Sequence, residues 1–324
     1  MKKLLLNLII TACFVFPAAN FVFAAENPDE ALINEKIASI GFGKIFVSDP
    51  QKEIETIFRK LDSYSLKKDF KNIRTYFSDD FVSNDGYDID TYMKSIKNGF
   101  ESYNAHSVTT KILSIAVNDD FAVVHVCESG EAETTKPAAQ IEGNGLVLSS
   151  ADIYYYLKKE ANKWKITSAN VIDENCSILY GAAKNVYFSL NVPAQIKAGC
   201  EYTASLSFAP MKDVFVMASL SKEPIVYPLP LVIDSFKSVK KDGILERIFS
   251  SNSDGYNEYS IASIGMTRAD MINSKIDLKI IGSAYVIRRV NVFKPMPQNF
   301  SNIKKNIVTK KVDVVSSSAK DSKK

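Results

Sequence analysis

The hydrophobic period of the chain changes near Tyr103, and that change limits the folds open to it. Upstream, Ile54, Ile57, Phe58, Leu61 and Tyr64 recur three and four residues apart, which places them along one side of a helix. Asp49 stands before Pro50 at the head of this segment, an acidic cap followed by the residue best tolerated in a first helical turn. "DFKNIRTYFSDDF" predicts a second, short helix with Asp69 as cap and Phe70, Ile73 and Phe77 facing inward, ended by the turn residues of "NDGYD". A third helix, "DIDTYMKSIKNGFESY", sets Ile89, Met93, Ile96 and Phe100 on one face. Downstream come four β-rich runs, "HSVTTKILSIAV", "FAVVHVCES", "GLVLSSADIYYYLKK" and "KWKITSANVI". Their connections include Asn118-Asp119-Asp120 and Ala161-Asn162, both suited to tight turns. Helices followed by an antiparallel meander predict an α+β arrangement with the helices over one face of the sheet.

From Lys184 onward the pattern is strand-like throughout. "EYTASLSF" puts Tyr202, Ala204, Leu206 and Phe208 on one side, and "DVFVMASL", "NEYSIASIG", "KIDLKIIG" and "AYVIRRVNVF" follow. Pro224, Pro228 and Pro230 interrupt a segment that would otherwise extend a strand. Short strands without an intervening helix predict an all-β sandwich of immunoglobulin-like architecture. In "YVIRRVNV", Arg288 and Arg289 point to opposite faces, so one of them is a candidate for partial burial. The expected plan is a signal peptide at 1–24, an arm without strong period at 25–48, the α+β unit at 49–175, the sandwich at 184–296 and a lysine- and serine-rich tail at 301–324. The tail composition predicts a disordered, solubilising segment.

The N-terminus reads "MKKLLLNLIITACFVFPAANFVFAAEN": Lys2 and Lys3, an apolar run, then small residues. This is the pattern of a secretory signal peptide, with cleavage expected after Ala24 and a periplasmic or secreted destination. Two alternatives stay open. "ITAC" resembles a lipobox ending at Cys13, and the apolar run could remain as an anchor, since about twenty residues span a bilayer. Export is common to all three. The 324 residues are 46% apolar and 24% charged, an ordinary globular balance with length for about two domains. A net charge of +3 is too mild to point to nucleic acid.

An oxidising compartment permits disulfides. Beyond Cys13 the cysteines are Cys127, Cys176 and Cys200, and Cys176 with Cys200 is the candidate pair because the two flank the expected unit boundary. Three unpaired thiols are the alternative. With only His106 and His125 and no Cys-x-x-Cys spacing, the sequence offers no metal site and implies no cofactor.

Asp69-Phe70, Tyr76-Phe77-Ser78-Asp79-Asp80-Phe81 and Lys163-Trp164-Lys165-Ile166, in this order of helices and strands, resemble the nuclear transport factor 2-like superfamily over about residues 50 to 173. That superfamily includes ketosteroid isomerase and polyketide cyclase relatives. The resemblance implies a curved sheet closed by helices into a cone, used by enzymes, binding modules and assembly domains alike. Catalytic members place an Asp or His base with Tyr or Asp donors inside the cone, where an apolar cavity raises a carboxyl pKa or sharpens a donor. No such set maps onto this sequence residue by residue. The region after Lys184 more faintly resembles immunoglobulin-like modules of exported bacterial proteins.

In "DIYYYLKKEANKWKI" a two-residue turn at Ala161-Asn162 pairs Glu160 with Lys163, Lys159 with Trp164 and Leu157 with Ile166. The same count pairs Tyr155 with Ser168 and Ile153 with Asn170, on the helix-covered side. Tyr155, Ser168 and Asn170 are therefore the candidate polar lining of a pocket, with His125 and Asp152 as further candidates. Tyr154 and Tyr156 point the other way and form a candidate contact surface, suited to a second copy or another protein. The scarcity of histidine and the lack of an acid–base pair favour an exported non-catalytic binding or assembly module, its partner a small apolar ligand, a second copy or an unidentified protein. The alternative is an isomerase- or cyclase-like enzyme acting on a small hydrophobic substrate through Tyr155, His125 or Asp152.

Overall fold

The computed structural model describes residues 49–209, 211–230, 232–240, 242–272 and 275–294. The expected signal peptide, Cys13, the arm and the tail lie outside these residues. Among the described residues three α-helices come first: α1 (Pro50–Leu66), α2 (Phe70–Arg74) and α3 (Ile89–Ser102), with β1 (Phe77–Ser83) between the last two. Each helix starts where a carboxylate stands ready. Asp49 accepts from the Gln51 amide at 3.0 Å, Asp69 from Asn72 at 3.1 Å and Asp88 from Thr91 at 2.8 Å. The "FSDDF" segment, expected within the second helix, is strand β1 and lies parallel to β5.

Four long strands follow, β2 (Tyr103–Asn118), β3 (Phe121–Pro137), β4 (Asn144–Glu160) and β5 (Lys163–Gly181). Then come β6 (Phe188–Asn191), β7 (Gln195–Lys197), β8 (Glu201–Phe208), β9 (Phe215–Pro224), β10 (Lys237–Ser238), β11 (Ile244–Ser250), β12 (Glu258–Ile272) and β13 (Lys275–Phe293). The expectation of an α+β cone followed by a separate all-β sandwich is overturned. Strands dominate, and one ten-stranded, largely antiparallel sheet runs through both regions in the order β10-β9-β12-β13-β5-β4-β3-β2, with β1 and β7 attached. The remaining strands form a three-stranded sheet, β11-β8-β6.

The cause lies in β5. The strand continues through "NCSILYG", where Ile178, Leu179 and Tyr180 are buried in succession because both faces are covered, and Asn175–Gly181 pair with Gly282–Arg288 of β13. Two glycines permit the close crossing at the end of this pairing. A Cβ on Gly282 would lie 2.8 Å from the Ala183 nitrogen, and one on Gly181, where φ is +54°, would lie 2.4 Å from the Ile281 carbonyl oxygen.

Adjacent residues of the shared strands feed opposite cores. Ile178, Ile261 and Ile287 join the core under the helices with Phe58, Phe81 and Ile166. Their neighbours Leu179, Ala262 and Val286 join a second core under the small sheet with Leu206 and Phe249. Because side chains alternate along a strand, helices and small sheet cover opposite faces of the large one. Cys176 sits fully buried in the first core, whereas Cys200 precedes β8 in the other layer. The candidate Cys176–Cys200 disulfide is absent, and Cys127, Cys176 and Cys200 are all free thiols.

Gly282→Ala forces its new methyl against backbone rather than a yielding side chain, so it is expected to lower stability by about 1–3 kcal/mol. Equilibrium denaturation measures this, and an unchanged midpoint contradicts the close crossing.

Candidate functional site

The β4–β5 hairpin starts in the register its turn dictates: Glu160 pairs with Lys163, Lys159 with Trp164 and Leu157 with Ile166. Thr167 is then an extra residue. Tyr156 pairs with Ser168, Tyr155 with Ala169 and Tyr154 with Asn170, until Ile172 bulges in turn. One inserted residue sends every later side chain to the other face. Ser168 and Asn170 therefore do not join Tyr155. The Ser168 hydroxyl instead donates to the Val82 carbonyl at 2.7 Å, and Ala169 and Val171 take the inner positions.

His125 and Asp152 are brought together, but on the outer face. His125 Nε2 lies 2.6 Å from Asp152 Oδ1, and its ring stacks on Tyr154 with centroids 4.2 Å apart and planes 4° from parallel. Both groups are partly exposed. Tyr156 projects from the same face, 40% exposed, beside Phe121 at 58%. This outer half-sheet carries the residues that the sequence divided between a pocket and a contact surface.

Tyr155 alone of the pocket candidates points under the helices, where its ring meets Phe58 at 5.4 Å. Its hydroxyl donates to Glu128 Oε1 at 3.0 Å and also meets Tyr92. Glu128 was missed in the sequence, although it lies on the parity of Val124 and Val126, the buried side of β3. Burial pushes its carboxyl from an ordinary 4.5 up to about 8, against the pull of the Tyr155 hydrogen bond and with a further push from Glu174. Burial also raises the Tyr155 and Tyr92 hydroxyls, and the nearby Glu128 charge adds to both. The space beside this group is small. A cavity of about 30 Å³ is bounded by Phe58, Leu61, Ser65, Phe77, Tyr92 and Glu128, and one of about 10 Å³ lies between Tyr92, Tyr155 and Glu174. A water needs roughly 10–15 Å³ of such space, so the larger cavity suits one or two, with the otherwise unpartnered Ser65 hydroxyl in its wall.

A second buried group lies beyond it. Arg289 has no exposed side-chain surface and forms a two-pronged pair with Asp85, one prong at 3.1 Å; its Nη1 lies 3.5 Å from Glu174 Oε2. Tyr259 donates to Glu174 Oε2 at 2.8 Å, and Asn257 donates to Asp85 Oδ1 at 2.8 Å. Burial raises Glu174 to about 7, with Arg289 opposing. Burial alone would lower the Arg289 pKa, but Asp85 reverses the sign and holds it above its ordinary value. Arg288, on the opposite face, pairs with Asp173 at 3.1 Å and remains partly exposed. On the surface between α1 and the β4–β5 turn, a groove of about 700 Å³ is lined by Lys52, Lys60, Tyr76, Lys163 and Lys165. Among the described residues no cluster of His, Cys, Asp and Glu is arranged to hold a metal ion. No helix among them is long and apolar enough to cross a membrane.

No protein-family model and no curated protein matches the chain. Among solved structures, a candidate Ca/calmodulin-dependent kinase II association domain from Exiguobacterium sibiricum 255-15 is 11% identical with a TM-score of 0.33, covering 40% of this chain and 95% of its own. A candidate scytalone dehydratase from Novosphingobium aromaticivorans DSM 12444 is 15% identical with a TM-score of 0.29, covering 38% and 82%. A hexachlorocyclohexane dehydrochlorinase (LinA) type 2 is 14% identical with a TM-score of 0.31, covering 38% and 83%. These neighbours are nuclear transport factor 2-like folds. At such identities and scores the likeness assigns no chemistry to this chain.

The raised Glu128 pKa carries a sign. Between pH 4.5 and about 8 the unfolded carboxyl has lost its proton while the folded one keeps it, so stability falls as pH rises through that window. Glu128→Gln mimics the neutral acid. Its stability advantage over the unaltered protein is expected to be near zero below pH 4.5 and to grow, on the order of a few kcal/mol, by pH 8. Denaturation curves at several pH values measure the difference, and a pH-independent difference contradicts the buried acid.

Proposed function

We propose that the protein is an exported, non-catalytic assembly module that associates through the outer face of β2–β5. The observation that carries this is the filled interior. Ligand pockets enclose roughly 300–1,000 Å³, whereas the space under the helices is about 30 Å³. Binding is thereby left to the exterior. On the outer face Phe121, Tyr154 and Tyr156 stand on neighbouring strands, Leu148 is 41% exposed, and no described residue of the small sheet covers them. Uncovered aromatics on an open sheet face suit a protein contact, and a second copy is the proposed partner. The Lys2-Lys3, apolar and small-residue pattern at the N-terminus supports export.

A second reading is favoured by one observation. Glu128, Tyr155 and Tyr92 converge at the cavity with raised pKa values, a combination common at sites of acid–base chemistry. In that reading the interior opens to admit a small apolar ligand or substrate, with Glu128 as the protonated donor.

The two readings separate in one preparation. Sedimentation equilibrium is expected to show a dimer that Tyr156→Asp with Phe121→Asp converts to monomer, and native mass spectrometry to show no organic ligand. A monomer that carries a ligand, lost in Glu128→Gln, favours the second reading.

A further inference from the structure

The surface groove between α1 and the β4–β5 turn has a character of its own. Its volume of about 700 Å³ lies within the range that small organic ligands occupy. None of its lining residues borders the cavity beside Glu128. Lys52 and Lys60 come from α1, and Lys163 and Lys165 from the start of β5. Asp49 and Glu53 are the carboxylates of the lining, so the lysines leave an excess of two positive charges. Little within the fold uses them. Lys52 meets Asp49 only at 3.9 Å, and Lys60 and Lys163 form no ion pair with a described residue. Lys165 donates to the Thr75 carbonyl in the groove wall.

The main chain adds a donor that faces the same space. Opposed residues of an antiparallel pair either exchange hydrogen bonds or both turn away from each other. Lys159, opposite Trp164, donates to the Asp120 carbonyl at 2.8 Å, on the side away from β5. The Trp164 amide therefore turns away from β4. Two residues on, the Ile166 amide points the same way and donates to the Tyr76 carbonyl at 2.8 Å. β1 begins to pair only there, Phe77 with Ile166, so it does not reach Trp164. No described carbonyl outside the ladder takes the Trp164 amide. The Trp164 side chain lines the groove, is 4% exposed, and buries its indole N–H without a partner. A covered donor left unmade is costly, and an acceptor that enters the groove relieves it.

We propose that this groove binds a phosphate monoester, its oxygens held by the Trp164 backbone amide, Lys60 and Lys163, with the Tyr76 ring beside the organic part. Ammonium groups are point charges that suit phosphate, whereas a planar carboxylate is matched by the arginine fork, and no arginine is in the lining. A monoester carries a charge of about −1.5 to −2 near pH 7, which balances the excess of the groove. Two sources carry that chemistry, a soluble ester and the headgroup of phosphatidic acid.

Backbone amide NMR of the full chain, titrated with glycerol phosphate, tests the site. The Trp164 amide resonance is expected to move with saturation. Lys60→Glu with Lys163→Glu is expected to weaken binding about tenfold or more. Lys94→Glu with Lys279→Glu, the same charge change at exposed positions outside the groove, is expected to leave binding unaltered. Vesicles of phosphatidylcholine with phosphatidic acid separate the sources: vesicle binding lost in the Lys60–Lys163 variant, without binding of glycerol phosphate, assigns the monoester to a lipid headgroup. Binding of neither probe overturns the proposal, as does a bound probe that leaves the Trp164 amide unmoved. Equal losses in the two lysine variants, or glycerate binding as tightly as glycerol phosphate, overturn it as well.

Discussion

A guanidinium with no exposed surface must find its charge partners inside the protein, and Arg289 collects them from distant parts of the chain. Asp85 comes from the turn after β1, Glu174 from the middle of β5, Tyr259 from β12, and Arg289 itself from β13. The helix-covered region and the later β-region thus share one ion cluster as well as one sheet. Removing one partner from a buried pair typically costs roughly 3–5 kcal/mol, because the remaining charge is stranded. The cluster is therefore better understood as a constraint on how the two regions sit together than as a bonus to stability.

Near that cluster, Glu128 and Glu174 are acids that burial keeps protonated toward neutral pH. Their environments differ. Glu174 has Arg289 and Tyr259 to offset its burial, whereas Glu128 has the Tyr155 hydroxyl alone against its burial and the push from Glu174, and rises further. Such a group beside a large cavity would point to chemistry; beside space for one or two waters it is a polar element within a packed core. The outer face of the same strands, with His125 against Asp152 and Tyr154, is open and aromatic. The proposed association uses that face because the space under the helices is too small for an organic ligand.

Local signals were legible in the sequence and long-range ones were not. Asp49, Asp69 and Asp88 announce helix starts because a cap is a matter of three or four residues. The first pairs of the Ala161-Asn162 hairpin followed from its turn for the same reason. The bulge at Thr167 carries no such mark, and it alone moved Ser168 and Asn170 from the inner to the outer face. Both parities of "FAVVHVC" are apolar, so spacing alone does not orient His125; Glu128 belongs to the buried parity, which no spacing rule would choose for an acid. Equally hidden was the pairing of β13 with β5, which joins residues more than a hundred positions apart in one sheet. Cys176 and Cys200, a pair suggested only by their places along the sequence, are both free thiols.

Differential scanning calorimetry of the unaltered protein, repeated on Arg289→Met, tests the central claim most directly. A sheet and an ion cluster shared by both regions predict one cooperative transition, shifted as a whole to lower temperature in the variant. Two separable transitions, only one of which responds to Arg289→Met, would contradict it.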